Sequence, residues 1–555
     1  MVRGTPEPSA SVITDSAATD VRILTRPIGR RDLLTRAAAL SLAAPVLGRM
    51  SAIPAAAQDA PAGTITFSLV GDPTLNPFTW PNQLPSILVA KNVFSTLLKY
   101  SFDDDSIAVG DLATEWSVSD DGLVWTFNLR DGVTWHDGEP FTAEDVKFTL
   151  DAIAAGEVRA LFRGTLAGVT EVTVVDPLTV TIATEQPIGS LPTLLAYNIA
   201  ITPKHILEGQ DLNEIPDFVQ NPIGTGPYMV REIISGDRVV LDANPDYFDG
   251  APNIGSMIYK VVPDVNNIVA QLLTGELDMA IVEAANLDAL SGSDTIAFNS
   301  ALEPNTFAMY LNNLRYPFDD PQVRKAFTMA IDRQAIVDQL LLGEGVVATS
   351  SHSPAFGDFY NPNIEPYPYD VEAAAALMTE AGFTQEDGIW TKDGMPVQVE
   401  LLVDKGNATR EQMALFVQQL WQDFGADVTV TVDEWSVFLG RVVTVPGDYD
   451  ASLGWRITAP DPDKNAEYGT DGANNHYSYS NPAVDELLAS GRVESDHEAR
   501  VAIYHELQQV LYDDCPIAWL YYPNGIVAYN TRIENMPPIG VRNALLYVYQ
   551  MSFTS

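Results

Sequence analysis

Cysteine is almost missing from this sequence: Cys515 stands alone in 555 residues. That excludes a disulfide within the chain and any thiolate-rich metal site. A lipid tether is excluded too, because no cysteine lies near the small-residue site described below. Cationic side chains are also scarce, with 31 Lys and Arg against 74 Asp and Glu and a net charge of −43. A nucleic-acid groove needs clustered Lys and Arg to neutralise phosphates, so nucleic acid is excluded as a partner. Acid spread this evenly is a solvated surface that keeps a protein soluble. The usual catalytic signatures are missing: there is no HExxH, no phosphate loop with its lysine and no GxSxG. His136 falls in a strand-turn block, His352 and His476 in loops and His505 in a helix, and none has ligand spacing. No metal, no cofactor and no enzymatic activity are expected. The apolar run Ala37 to Leu47, interrupted by Ser41 and Pro45, is too short to span a bilayer.

What is present begins with Arg30-Arg31-Asp32-Leu33-Leu34, that apolar run, and Ala55-Ala56-Ala57. Together they read as a twin-arginine export signal over residues 1–57. An extracytoplasmic protein is expected, in the periplasm or on the outer face of the cytoplasmic membrane. The rest of the chain has room for roughly three domains of about 150 residues.

The most telling stretch is Asp121 to Leu150, DGLVWTFNLRDGVTWHDGEPFTAEDVKFTL. Val124, Thr126 and Asn128 alternate with Trp125, Phe127 and Leu129, the pattern of a half-buried strand. Asp131-Gly132 and Asp137-Gly138 supply turns around a second short strand at Thr134, Trp135 and His136. Thr142 and Asp145 fit a capping box, with Phe141 placed to staple onto Val146. Elsewhere Thr64 to Val70 alternates as a strand, and Ser86 to Lys99 has helical spacing. Val169 to Ala183 reads as a hairpin turning at Asp176-Pro177. A strand pair follows Gly224 to Tyr228. Pro317 to Leu342, Val371 to Ala381 and Arg410 to Phe424 carry helical stripes, the first broken at Asp332-Arg333, so strands and helices alternate along the chain.

These motifs, with LNPF (75–78), GTGPY (224–228), NPDYFDG (244–250), LLTGELDMA (272–280), PFDDPQVRKAFTMAIDRQAIV (317–337), YPYDVEAAAALMTEAGF (367–383) and YSNPAVDELL (479–488), occur in one order. The chain in this respect resembles the extracytoplasmic solute-binding proteins, family 5, the peptide and nickel receptors of ATP-driven (ABC) importers. The resemblance runs from about Thr64 to Tyr529. It implies an α/β fold of two lobes, the Venus-flytrap form of periplasmic binding proteins (type II), with an additional inserted domain. On this chain it implies lobe I at 58–104, 211–310 and 521–555, the inserted domain at 105–210, and lobe II at 311–520.

The resemblance also implies a function: capture of a peptide between the lobes and delivery to a membrane permease, by a monomer. An oligosaccharide or a nickel chelate is the alternative solute, and a secreted hydrolase the distant one. Asp461, on a proline-stiffened loop after Trp455, matches the position where the family's peptide receptors hold the ligand's amino terminus. Trp455 and Trp435 are candidate cleft walls. The loop from Asp72 to Asn76, with Thr74, Leu75 and Asn76, is implied to offer backbone groups to an extended ligand. A ligand carboxylate needs a cation; the 349–362 loop has no Lys or Arg, which leaves Arg456 as the candidate. That gap favours longer peptides over dipeptides.

Overall fold

The computed structural model describes residues 62–554 except 80–83, 102–107, 157, 161–162, 198, 445–446, 457–460 and 538–546, and except the side chains of 164–165, 197 and 455–456. The expected export signal lies outside the described residues. The strands that position the site are β1 (Thr64–Leu69), β2 (Ala113–Val118), β3 (Val124–Leu129), β4 (Val169–Asp176), β5 (Thr179–Thr184), β6 (Tyr228–Ile234), β7 (Arg238–Ala243), β8 (Ser256–Val261), β9 (Met279–Val282), β10 (Ile296–Leu302), β11 (Thr306–Leu311), β12 (Gly345–Val347), β13 (Gln398–Asp404), β14 (Asp427–Asp433), β15 (Ala451–Arg456) and β16 (Ile517–Asn530). Four helices matter most: α1 (Ala143–Ala155), α2 (Ala408–Phe424), α3 (Trp435–Val442) and α4 (His497–Asp514).

One mixed sheet of twelve strands runs through the molecule in the order β14-β13-β15-β11-β16-β9-β1-β8-β7-β6, with β10 and β12 also paired to β16. The 14-residue β16 makes this possible. Its first part pairs with β11 and its last part with β10, while β12 and β9 line its other edge. Glu303, Pro304 and Asn305 bridge β10 and β11, and the Glu303 N–H donates to the Pro523 carbonyl at 2.9 Å. The β10–β11 connection and the middle of β16 therefore run side by side as a two-stranded ribbon. The cores part there as well: Phe307 and Tyr522 belong to one buried cluster, Ile526 and Val527 to others.

Residues 113–184 form a separate antiparallel sheet, β2-β3-β5-β4. In β3 the residues Trp125, Phe127 and Leu129 are buried while Val124 and Asn128 are exposed, as the alternation requires. At α1, Thr142 and Asp145 form the reciprocal capping box, the Thr142 N–H donating to Asp145 Oδ2 at 2.9 Å. Trp125, Phe127 and Val146 share one hydrophobic core with Ile65 and Phe67 of β1, so this sheet packs as one body with the β1 end of the large sheet.

Two local expectations are corrected. Thr134 to His136 makes only a single bridge, Thr134 to Pro140, because the His136 N–H donates to the Gly224 carbonyl and leaves the hairpin ladder. The helix expected over Ser86 to Lys99 runs instead from Leu84 to Val93 and gives way to a strand at Leu98–Tyr100. The Gly226 N–H takes the Val93 carbonyl, which the next helical turn would have used. The approach is close enough that a Cβ on Gly224 would stand 1.8 Å from that carbonyl oxygen, which accounts for the glycines of GTGPY.

Candidate functional site

In a sheet of this kind, ligands gather outside the carboxyl ends of parallel strands. β1 runs parallel to β8 and β9, and β13 runs parallel to β14 and β15, so each lobe has one such edge. In lobe I the edge continues into Val70 to Thr74 and Glu283. In lobe II it continues into Lys405 to Arg410 and into α3. The two edges converge on Tyr521 of the crossing ribbon, whose ring stacks on Phe307 at 4.9 Å and 5°. Burial pushes the Tyr521 hydroxyl up, and it feels Arg410 from one lobe and Glu283 from the other.

The lobe II edge holds a recess of about 140 Å³ lined by Tyr310, Trp435, Phe438, Leu439, Val442 and His476, with Asp404 and Arg410 at its side. Asp404 ends β13, and Arg410 lies in the first turn of α2, whose N-cap is Asn407. That strand-loop-helix geometry aims the guanidinium back at the strand end. Arg410 Nε donates to Asp404 Oδ1 at 2.7 Å and Nη2 bonds Oδ2, a bidentate pair. The pair is locally neutral, so the recess is an apolar wall with one polar, charge-balanced side. Trp435 opens α3 directly after β14; its indole stacks on Phe438 at 5.8 Å yet stays 54% exposed. An indole covered on one side and bare on the other is a surface for a partner group.

The other sequence-derived residues fall in different settings. Leu75 and Asn76 are buried. Asn76 Oδ1 accepts from the Phe78 and Thr79 N–H groups at 2.9 and 3.3 Å, and Nδ2 donates to the Leu212 carbonyl at 3.1 Å. Its side chain is engaged within the fold and shapes the loop. The exposed Thr74 is fixed through its N–H, which donates to Ser86 Oγ at 2.9 Å. Asp72 accepts from Ser235 Oγ and the Gly236 N–H, and these bonds hold its carboxyl below the usual range. Trp455 and Arg456 stand in β15 opposite Phe307 and Thr306 of β11, and their side chains lie outside the described residues.

Asp461 is 2% exposed and forms an ion pair with Arg500, Nη2 to Oδ1 at 2.6 Å. The same oxygen accepts the Asp463 N–H at 2.9 Å. Only Oδ2 has no hydrogen-bond partner among the described residues. Arg500 is further held by the Gly491 carbonyl and lies against the Phe359 and Tyr504 rings. Burial opposes its charge but Asp461 outweighs it, and the guanidinium is held above its ordinary pKa. Asp463 pairs with Arg492 at 2.7 Å.

Arg410 and Asp404 went unnoticed in the sequence, where Arg410 reads as one more residue of an amphipathic helix. The available signal was Asn407, a helix cap three residues after a strand-ending aspartate, which places that helix start at a carboxyl edge.

Comparisons with known proteins agree with this architecture. The chain is 29% identical over 486 residues to the oligopeptide-binding protein AppA of Bacillus subtilis, covering 85% of this chain and 88% of that one. The solved structure of AppA in complex with a nonapeptide superposes with a TM-score of 0.74 at 27% identity, over 89% of this chain and 99% of the other. NikZ from Campylobacter jejuni, solved in complex with Ni(L-His), superposes with a TM-score of 0.76 at 26% identity, over 88% and 99%. Residues 108–477 match the family model of bacterial extracellular solute-binding proteins, family 5. The two-lobed fold, the paired carboxyl edges and this match together place the chain in that family, and it belongs to the bacterial extracellular solute-binding proteins, family 5.

Proposed function

We propose that this protein is the peptide receptor of an ATP-driven importer, acting as a monomer that closes on a peptide and delivers it to a membrane permease. The observation that carries the reading is the lobe II recess: a half-bare indole, an apolar wall and a charge-balanced Asp404–Arg410 pair at the carboxyl end of parallel strands. Such a pocket suits an apolar side chain, with the neighbouring backbone amides hydrogen-bonded to the strand edges. Contacts made by both lobes exist only when they approach, so solute binding draws the receptor toward the closed form. The likeness to AppA, solved with a nonapeptide, supports an oligopeptide.

The lobes part at residues 303–306 and 522–525 in this reading, and residues 105–210 are an insertion sharing the lobe I core. The Asp461 loop forms part of the cleft wall, with the enclosed Asp461–Arg500 pair fixing its shape. Residues 1–57 direct export by the twin-arginine route, so replacing Arg30 and Arg31 by lysine leaves the protein in the cytoplasm.

One observation favours a second solute: His476 lines the same recess, and NikZ was solved with a nickel-histidine complex. Among the described residues no cluster of three or more His, Cys, Asp or Glu could hold a metal ion, so a metal would have to arrive already chelated. Native mass spectrometry of protein recovered from its own export compartment tests the choice. The expected adduct is a mixture of intact peptides; a constant metal-chelate or sugar mass overturns the peptide reading, and cleavage products would reveal a hydrolase.

A further inference from the structure

The ribbon between the lobes contains an acid without a cation. Glu303 lies where β10 passes into β11, and its carboxylate accepts from Asn305 Nδ2 at 2.7 Å. It rests over Gly525 of β16, where a Cβ would stand 2.5 Å from Glu303 Oε1. The carboxylate thus occupies the space that any side chain at position 525 would fill, wedged between the segment joining β10 to β11 and the middle of β16. It makes no ion pair among the described residues.

The groups around it leave it uncompensated. On the loop packed against it, Ser353 Oγ donates to the Glu303 carbonyl at 2.7 Å, and His352 is engaged by Ser351 and by the Pro462 carbonyl. Burial keeps His352 neutral. Lys464 lies over the Phe356 ring at 4.6 Å. On β16, burial raises the Tyr521 and Tyr522 hydroxyls, which keeps both neutral. Glu344, ahead of β12, takes its bonds from Ser300 Oγ at 2.6 Å and Asn524 Nδ2 at 2.9 Å. Arg410 and Glu283 act on Tyr521.

We propose that Glu303 is a proton-controlled latch of the inter-lobe hinge: protonated, it holds the ribbon in the arrangement described, and ionised, it favours arrangements that expose it to water. Bending the ribbon at 303–306 against 522–525 is the motion that changes the exposure of this carboxylate. Burial raises its pKa from an ordinary 4.5 to about 7, the bond from Asn305 drawing it down only in part. An acid with a raised pKa stabilises the buried arrangement fully below its ordinary pKa, and that stabilisation is lost as pH rises through the raised value. The window is therefore roughly pH 4.5 to 7, and between pH 6 and pH 8 the hinge equilibrium moves by about tenfold toward exposure.

The inference rests on the two-lobed fold and not on the identity of the solute, so it is tested without solute. Spin labels at Glu171→Cys and Glu486→Cys, both exposed positions, report the inter-lobe distance, with Cys515 buried and out of reach. The distance distribution should move progressively as pH rises from about 4.5 and level off above about 7, and Glu303→Gln, which keeps the acceptor for Asn305, should give the acidic distribution at every pH. A shift that persists unchanged in Glu303→Gln overturns the assignment. Should the glutamine variant misfold, the parent profile decides: a flat distribution from about pH 4.5 to 8.5 overturns it, and a shift that accumulates below about pH 7 and levels off above it sustains it.

Discussion

Two aspartate–arginine pairs in lobe II look alike in a contact map and do different things. Asp461–Arg500 is sealed, its side chains 3% and 6% exposed, with aromatic rings against the guanidinium. Asp404–Arg410 sits at the rim of the recess, 7% and 19% exposed, beside a half-bare indole. A buried pair that loses one member leaves an uncompensated charge in a poor solvent, so the sealed pair holds the loop after β15 in place. The rim pair borders the recess, and in the proposed reading it is the pair that lies beside the solute. Enclosure, more than residue type, separates the two pairs.

The comparison can be broken from either side. The largest effect is expected from Arg500→Met, which strands Asp461: unfolding should cost roughly 3–5 kcal/mol less, read as a clear drop in thermal midpoint. A midpoint within a degree of the parent would mean that the pair is not sealed in solution. Trp435→Ala should leave the midpoint almost unchanged, since the indole is 54% exposed, while peptide affinity falls by about tenfold or more. Arg410→Met unbalances Asp404 at the rim, and calorimetry should show a preference, a few-fold in affinity, for peptides with a cationic residue over their neutral counterparts. No change in charge preference would remove the pair from the solute's surroundings. The smallest effect belongs to Arg492→Ala: its pair with Asp463 is half exposed, and about 0.5 kcal/mol or less is expected from denaturant titration.

Local chemistry made much of the fold legible. The β3 alternation, the Thr142–Asp145 box and the 169–184 hairpin are each set by residues within a few positions of one another. The helix at Leu84–Val93 ended early because a backbone amide more than 130 residues away claims its last carbonyl, and no local pattern carries that information. The site divided the same way. Trp435 was named as a candidate cleft wall, and the structure leaves its indole 54% exposed at the recess. Arg410 was missed because its meaning depends on α2 starting at a carboxyl edge. Asp461 attracted attention on its proline-rich loop, but its partner Arg500 lies 39 residues on, in α4. Asn76 was read as a loop offering backbone groups, while its side chain turned out to be the clasp that shapes that loop.

The central claim, that the solute's apolar side chain enters the lobe II recess, is tested most directly by calorimetry of one peptide series against two proteins. Extended peptides differing only in one residue, alanine or leucine, are titrated into the parent and into Trp435→Ala. The account predicts that the parent prefers leucine by about tenfold and that Trp435→Ala erases the preference while still binding the alanine peptide. Equal leucine preference in both proteins would contradict it.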